Sequence, residues 1–231
     1  MGSNYKMPYN VDLVFCIDAT ASMDGLLDMV KRHALSFHRD LSEAMSAKRK
    51  AINQLRIRIV AFRDYTYDGQ DAMLATNFFT LPQDQEIFER CIAEIEADGG
   101  GDDPEDGLEA LAYAIRSHWA ETGVGMKNRQ VIVVWTDAAT HELGFGWEEE
   151  TYPREYMARD FNELTSWWGD ISDPGYMDQR GKRLLLYAPD APYWNTITAN
   201  WDNVLHFPSE AGQGLDEVSY EEIIHTIAET V

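Results

Sequence analysis

Two apolar runs constrain the architecture of this chain more than any other feature. VDLVFCID (11–18) and QVIVVWTD (130–137) are short, rich in branched aliphatic residues, and each ends on an aspartate. A run of this kind without polar alternation reads as a strand covered on both faces, since a sheet with one wet face alternates apolar and polar positions. Strands buried on both faces are mostly parallel, and parallel neighbours need crossover connections, usually helical. The intervening chain supplies them. Leu26, Leu27, Val30, Ala34, Leu35, Phe37 and Leu41 recur at helical spacing within residues 23–45. LRIRIVAF (55–62) is a further strand, with MLATNFF (73–79) as its antiparallel neighbour beyond the turn signal YDGQD.

Residues 84–97 form an amphipathic pattern closed by Gly99, Gly100 and Gly101. A new helix is expected at once, with Asp103 as N-cap and Pro104 in the first helical position. Past the second apolar run, residues 138–181 are acidic and aromatic, with a helix near 154–168. Short strands at 182–189 and 204–208 and a helix at 218–231 complete the chain. The expected fold class is α/β, doubly wound: a mostly parallel central sheet with one antiparallel edge strand and helices on both faces. The expected organisation is one domain over 1–231, elaborated by an insertion at about 138–181.

Composition narrows the partners. Among 231 residues, 40 Asp and Glu against 19 Lys and Arg leave a net charge of −21. Such a chain repels nucleic acid and anionic membrane, and the short basic runs at 31–33 and 48–50 do not reverse that locally. The acid excess suits divalent cations or basic partners. No apolar run approaches the roughly 20 residues of a spanning helix, and the polar start MGSNYKMPYN has no signal-peptide apolar region. Cys16 and Cys91 lie in apolar runs without metal-type companions and read as reduced, buried thiols. A soluble, cytoplasmic protein is expected.

In a parallel sheet, loops beyond the carboxyl ends of the strands hold the site. In the first such loop, IDATASM, Asp18, Thr20 and Ser22 occupy alternate positions of an extended segment, so a carboxylate and two hydroxyls share one side. Oxygen donors of this kind suit Mg²⁺, with Mn²⁺ or Ca²⁺ as alternatives, and not zinc or copper. The other reading makes Thr20 or Ser22 a helix cap and Asp18 a strand end. Asp102 sits on a triple glycine that lets backbone approach a ligand closely, and Asp137 ends the second apolar run on the rim that Asp18 shares. His141 in DAATH either lines this rim, as a partner-binding residue together with Trp147, or makes a hydrogen bond that supports a ligand, or is ordinary polar surface. Trp147 belongs to an aromatic stretch, 143–178, that offers either packing for the sheet or a partner surface.

DxTxSM after the first strand, GGGDxPED before a helix and TDAxxH after a later strand resemble, in order and spacing, a von Willebrand factor type A domain over roughly residues 10–230. That resemblance implies a metal-ion-dependent adhesion site (MIDAS) in which Asp18, Thr20 and Ser22 are first-loop ligands and Asp137 the third-loop carboxylate. Thr20 stands where serine is commoner. The usual second-loop threonine falls on Asp102, with Asp103 as a rival ligand, a departure similar to an intracellular GGGDxPE subset that includes members linked to alpha-kinases. The family leaves one metal position open for an acidic group of a protein ligand. Three carboxylates, Asp18, Asp102 and Asp137, would hold a divalent ion firmly but attract an incoming carboxylate less.

The function expected is therefore a non-catalytic, metal-dependent protein-binding module, with an ATPase, kinase or phosphatase system as its partner. The chain has no GxxxxGK[ST], kinase signature or GxSxG motif. One alternative is a Mg²⁺-dependent phosphohydrolase of haloacid dehalogenase type with Asp18 as nucleophile. That family needs an acid where Thr20 stands and its acidic motif in a different order. Another is a structural subunit whose metal site has no recognition role.

Overall fold

The structure is a computed structural model that describes residues 6–101, 103–121 and 126–231. Strand β1 (Met7–Asp18) lies at the centre, parallel to β2 (Lys50–Phe62) on one side and to β5 (Lys127–Trp135) on the other. Beyond β5 come β6 (Lys182–Pro189) and β7 (Val204–Ser209), also parallel. The antiparallel edge on β2 is made in two short pieces, β3 (Met73–Ala75) and β4 (Phe79–Leu81). Thr76 interrupts it: the Ile59 amide donates to Thr76 Oγ1 and Arg58 Nε donates to the Thr76 carbonyl, so the chain bends out of register there.

Alternate residues of β1 feed two separate cores, as strand geometry requires. Leu13, Phe15 and Ile17 pack against α1 (Asp24–His33), α2 (Phe37–Ala47), α4 (Gln85–Ala93) and α8 (Tyr220–Thr230). Val14 and Cys16 face α5 (Gly107–Ile115), α6 (Phe161–Trp168) and α7 (Pro192–Asn200). A four-residue helix, α3 (Tyr65–Asp68), follows β2. Both cysteines are free thiols, Cys16 buried and Cys91 half-buried. Among the described residues, no helix is long and apolar enough to cross a membrane.

The differences from expectation have local causes. The helix predicted over 23–45 breaks at residues 34–36, where Ser36 N–H donates to the His33 carbonyl and Leu35 turns outward to 71% exposure. The break aims Phe37 edge-on at Phe15, with centroids 5.5 Å apart. Asp103 is not a helix N-cap: α5 begins four residues later, at Gly107. Residues 103–106 are drawn instead into an extended pairing with the segment after β5, since Glu105 N–H donates to the Ala139 carbonyl and His141 N–H to the Glu105 carbonyl. The helix foreseen near 154–168 is a single 3₁₀ turn at Arg154–Tyr156 followed by α6, capped by Asp160. Helix α7 was not foreseen. Its β-branched and polar sequence gives little propensity, and burial of Trp194 and Ile197 supplies what propensity lacks.

Candidate metal centre

The site stands where β1 and β5 end together. Their pairing puts Ile17 opposite Trp135, so Asp18 and Thr136 emerge side by side, and Thr136 Oγ1 donates to Asp18 Oδ2 at 2.6 Å. The chain then turns about Asp18 itself. Its Oδ1 accepts from the Thr20 amide at 2.9 Å and the Thr20 hydroxyl at 2.6 Å, which folds the loop back over the strand end. Thr20 Oγ1 lies 3.5 Å from Ser22 Oγ, and Ser22 Oγ donates to Asp137 Oδ1 at 2.9 Å. The four oxygen-bearing side chains of the first and third loops thus form one connected row. Asp18, Thr20 and Asp137 are buried, and Ser22 stands at the exposed mouth.

Two glycines bring further loops against this row. At Gly100, φ is +74°, and a Cβ there would stand 2.8 Å from Thr20 Cγ2 and 2.9 Å from Glu105 Oε1. The middle of the triple glycine is therefore pressed onto the first loop as only glycine allows. At Gly214, φ is +64°, and a Cβ would meet the Ser22 carbonyl at 2.3 Å. Gly214 N–H donates to Asp137 Oδ2 at 2.7 Å, and Gly212 N–H to the Asp137 carbonyl. This fourth loop, after β7, escaped sequence reasoning. Its signal was GQG at 212–214, two glycines spaced as in a turn that approaches other backbone.

Asp102 lies outside the described residues. Asp103 is exposed, and its Oδ1 accepts from the Ala139 amide at 3.1 Å, tying second loop to third. The α5 amino terminus is satisfied across the same junction by Thr140 Oγ1, which accepts from the Leu108 amide. His141 is 7% exposed, with its Nε2 2.8 Å from Asp64 Oδ2 and its ring stacked on Phe145 at 3.9 Å. It sits beneath the rim and not on it. Trp147 is 38% exposed, with its ring beside Tyr152 and Arg154. Tyr152, Trp167 and Trp168 are buried, so the aromatic segment divides between core and surface.

Glu105 is buried behind Gly100, and among the described residues its Oε2 has no hydrogen-bond partner. Burial, followed by repulsion from Asp18, Asp64, Asp68 and Asp106, pushes its carboxyl up to about 9. Burial likewise raises Asp18 to about 6, against the hydrogen bonds from Thr136 and Thr20 that favour the ionised form, and the charge of Asp137 adds to the rise. Among the described residues, none of the ion pairs includes Asp18, Asp137 or Glu105. Buried carboxylates without a cation are costly. The set of carboxylate and hydroxyl oxygens, hard and small, fits a divalent ion such as Mg²⁺. Among the described residues no three carboxylate, imidazole or thiol groups gather into a metal cage by themselves. A shell here must draw on the hydroxyls as well.

Comparison with known proteins follows the same lines. An alpha-protein kinase of Dictyostelium discoideum, vwkA, is 24% identical over 143 residues, covering 62% of this chain and 21% of the relative. This chain thus spans about a fifth of that protein's length. Among solved structures, the pilus adhesin SpaC of Lactobacillus rhamnosus GG superposes over 95% of this chain and 30% of its own, at 12% identity and a TM-score of 0.50. A von Willebrand factor type A structure from Catenulispora acidiphila covers 95% of this chain and 41% of its own, at 12% identity and a TM-score of 0.46. Residues 12–143, from the middle of β1 to just beyond the third loop, match the family described as von Willebrand factor A domain, and this chain belongs to it.

Proposed function

We propose that this domain is a metal-ion-dependent protein-interaction module that docks a partner at the strand-end rim. Mg²⁺, or Mn²⁺ or Ca²⁺ in its place, is held by Asp18, Thr20, Ser22 and Asp137, with Asp102 as the second-loop ligand. The observation that carries this reading is the unbroken row from Asp18 through Thr20 and Ser22 to Asp137, with both carboxylates buried and, among the described residues, without an ion pair. The ion would supply the missing positive charge and a Lewis-acidic centre for an oxygen of the partner. The ligand side chains are already oriented by Thr136, the Thr20 amide and the Gly214 amide, as supporting groups orient metal ligands elsewhere.

Partner contact extends from the rim to the exposed aromatics after the third loop. Trp147 and Phe145 lie beyond Asp137, and Phe145 stacks on the buried His141, so the patch is anchored to the same framework. His141 acts through Phe145 and Asp64 in this reading and does not touch the partner. The von Willebrand factor A fold is commonly a non-enzymatic interaction module, and a binding role without catalysis is proposed here too. The likeness to an alpha-protein kinase favours a phosphoryl-transfer system as partner. A cytoplasmic setting belongs to the same proposal, supported by the two free thiols. The haloacid dehalogenase alternative draws no support, since Thr20 stands where its second acid is needed and the chain belongs to another family.

Calorimetric titration of the full chain with Mg²⁺ tests the site. Wild type should bind saturably and Asp137→Ala should not, with thermal melting to show that the variant is folded. An unchanged isotherm in the variant would remove the ligand assignment. Pull-down in Mg²⁺ against EDTA then identifies the partner by what is lost.

A further inference from the structure

An open cleft of about 510 Å³ lies on the edge of the sheet, lined by Arg56, Arg58, Phe78, Tyr113, Arg116 and Tyr156 among others. Its charge is opposite to that of the chain. Arg56 is neutralised by Asp12, with Nε 2.7 Å from Oδ1 and Nη2 2.5 Å from Oδ2. Arg58 and Arg116 are not: among the described residues neither forms an ion pair with a carboxylate. Arg58 is held by neutral groups only, Nε by the Thr76 carbonyl and Nη1 by the Tyr113 carbonyl and Ser117 Oγ. Arg116 Nη1 donates to the Tyr156 carbonyl, and its guanidinium faces the Trp167 and Tyr176 rings at 5.1 and 5.7 Å.

A guanidinium has five N–H donors in a planar fork. Among the described residues, Arg58 Nη2 and Arg116 Nε and Nη2 have no hydrogen-bond acceptor; Arg116 is exposed, and the half-buried Arg58 has no fully buried orphan nitrogen. In a protein with 40 acidic side chains, two guanidiniums that line one cleft without an ion pair among the described residues are not a default of composition. The break between β3 and β4 builds the arrangement: it exposes the Thr76 carbonyl that fixes Arg58 and places Phe78 at the wall. Burial lowers the Arg58 pKa, opposed by Cys16 and Tyr113.

We infer that this cleft binds an aryl phosphate, its phosphoryl oxygens on the free donors of Arg58 and Arg116 and its ring against Tyr156. Paired forks match the oxygens of a phosphate monoester, whose charge near −2 at neutral pH balances two guanidiniums. Tyr156, at 61% exposure, offers the ring surface, and the volume is of the size that holds small ligands. The inference does not depend on the metal rim, since no residue is shared between them.

The test is titration of the full chain with phenyl phosphate, inorganic phosphate and a phosphotyrosine peptide. Phenyl phosphate should bind saturably, and more tightly than inorganic phosphate. Arg116→Gln should weaken it about tenfold or more, and Tyr156→Ala should erase the preference for the aryl compound. Arg116 is exposed, so its variant carries the test even if Arg58→Gln fails to fold. Mg²⁺ affinity should be the same in Arg116→Gln as in wild type. Binding of the free compound alone assigns a small-molecule ligand, and binding of the peptide as well assigns a phosphorylated protein segment. A dissociation constant above about 10 mM for both, or equal affinity in wild type and Arg116→Gln, overturns the inference.

Discussion

The strand-end rim and the edge cleft are built from opposite deficits. Among the described residues, Asp18, Asp137 and Glu105 are buried at the rim without an ion pair to a cationic side chain, and Arg58 and Arg116 stand in the cleft without one to a carboxylate. Elsewhere some inner charges are paired, as Asp12 with Arg56 and Lys182 with Asp202, whereas Asp106 and Glu109 are buried without an ion pair among the described residues. The contrast teaches that net charge describes the solvent-facing surface, whereas binding capacity resides where the fold withholds a partner. A charge of −21 says nothing of the cleft, which a pair of arginines makes locally positive.

The comparison breaks most sharply on a double exchange of functions. Asp137→Ala should lower Mg²⁺ affinity by roughly 100-fold or more while leaving phenyl phosphate binding intact. Loss of both ligands in calorimetry would mean that the two regions are one coupled unit. Next in size is Gly214→Ala, which forces a Cβ toward the Ser22 carbonyl at a positive φ. It should cost about 1–3 kcal/mol in denaturant melts and weaken Mg²⁺. An equally stable variant would show that the fourth loop does not hold the rim.

Trp147→Ala should weaken capture of the partner identified by pull-down by about tenfold, with Mg²⁺ affinity unchanged. A lowered melting temperature with full capture would make Trp147 a packing residue of its own domain.

The smallest effect concerns pH. Burial raises the carboxyls of both Asp106 and Glu109 above their ordinary range, with repulsion from Glu109 adding to Asp106 and hydrogen bonds from Gly144 and Tyr152 opposing the rise of Glu109, and Glu105 reaches about 9. Groups raised in the folded state bind protons more tightly there than in the unfolded chain. Their stabilisation is complete below the ordinary carboxylate range and is lost as pH rises through the folded values. In EDTA the melting temperature should therefore fall between about pH 5.5 and pH 8.5. Glu109→Gln should flatten that fall by about 3 °C or more, because the amide carries no charge to desolvate. A profile identical to wild type would show that the Glu109 carboxyl binds its proton equally in the folded and unfolded chain and is not raised by burial.

The rim was largely visible in the sequence and the cleft was not, for a physical reason. Asp18, Thr20 and Ser22 are neighbours in the chain, and Asp137 closes an apolar run of the same kind, so strand ends were enough to bring them to one edge, although Ser22 arrives on a 3₁₀ turn at Ala21–Met23 and not by alternation along the extended segment expected. Asp103 misled because Asp-Pro before an apolar run satisfies every local rule for a helix start. The pairing of Glu105 with Ala139 and His141, a contact across more than 30 residues, overrode those rules. His141 likewise carried no local sign that Asp64 and Phe145 would bury it.

By itself the sequence determined the alternation of strands and helices, the central place of the two apolar runs and the oxygen donors at their ends, because periodicity and strand polarity are properties of short segments. Only the tertiary structure decided that Gly214 clamps Asp137, that Glu105 lies orphaned behind Gly100, and that Arg58 and Arg116 share a cleft without a carboxylate. Each of these depends on segments far apart in the chain meeting at one point. Burial and the absence of a partner arise from packing, and no local pattern encodes them.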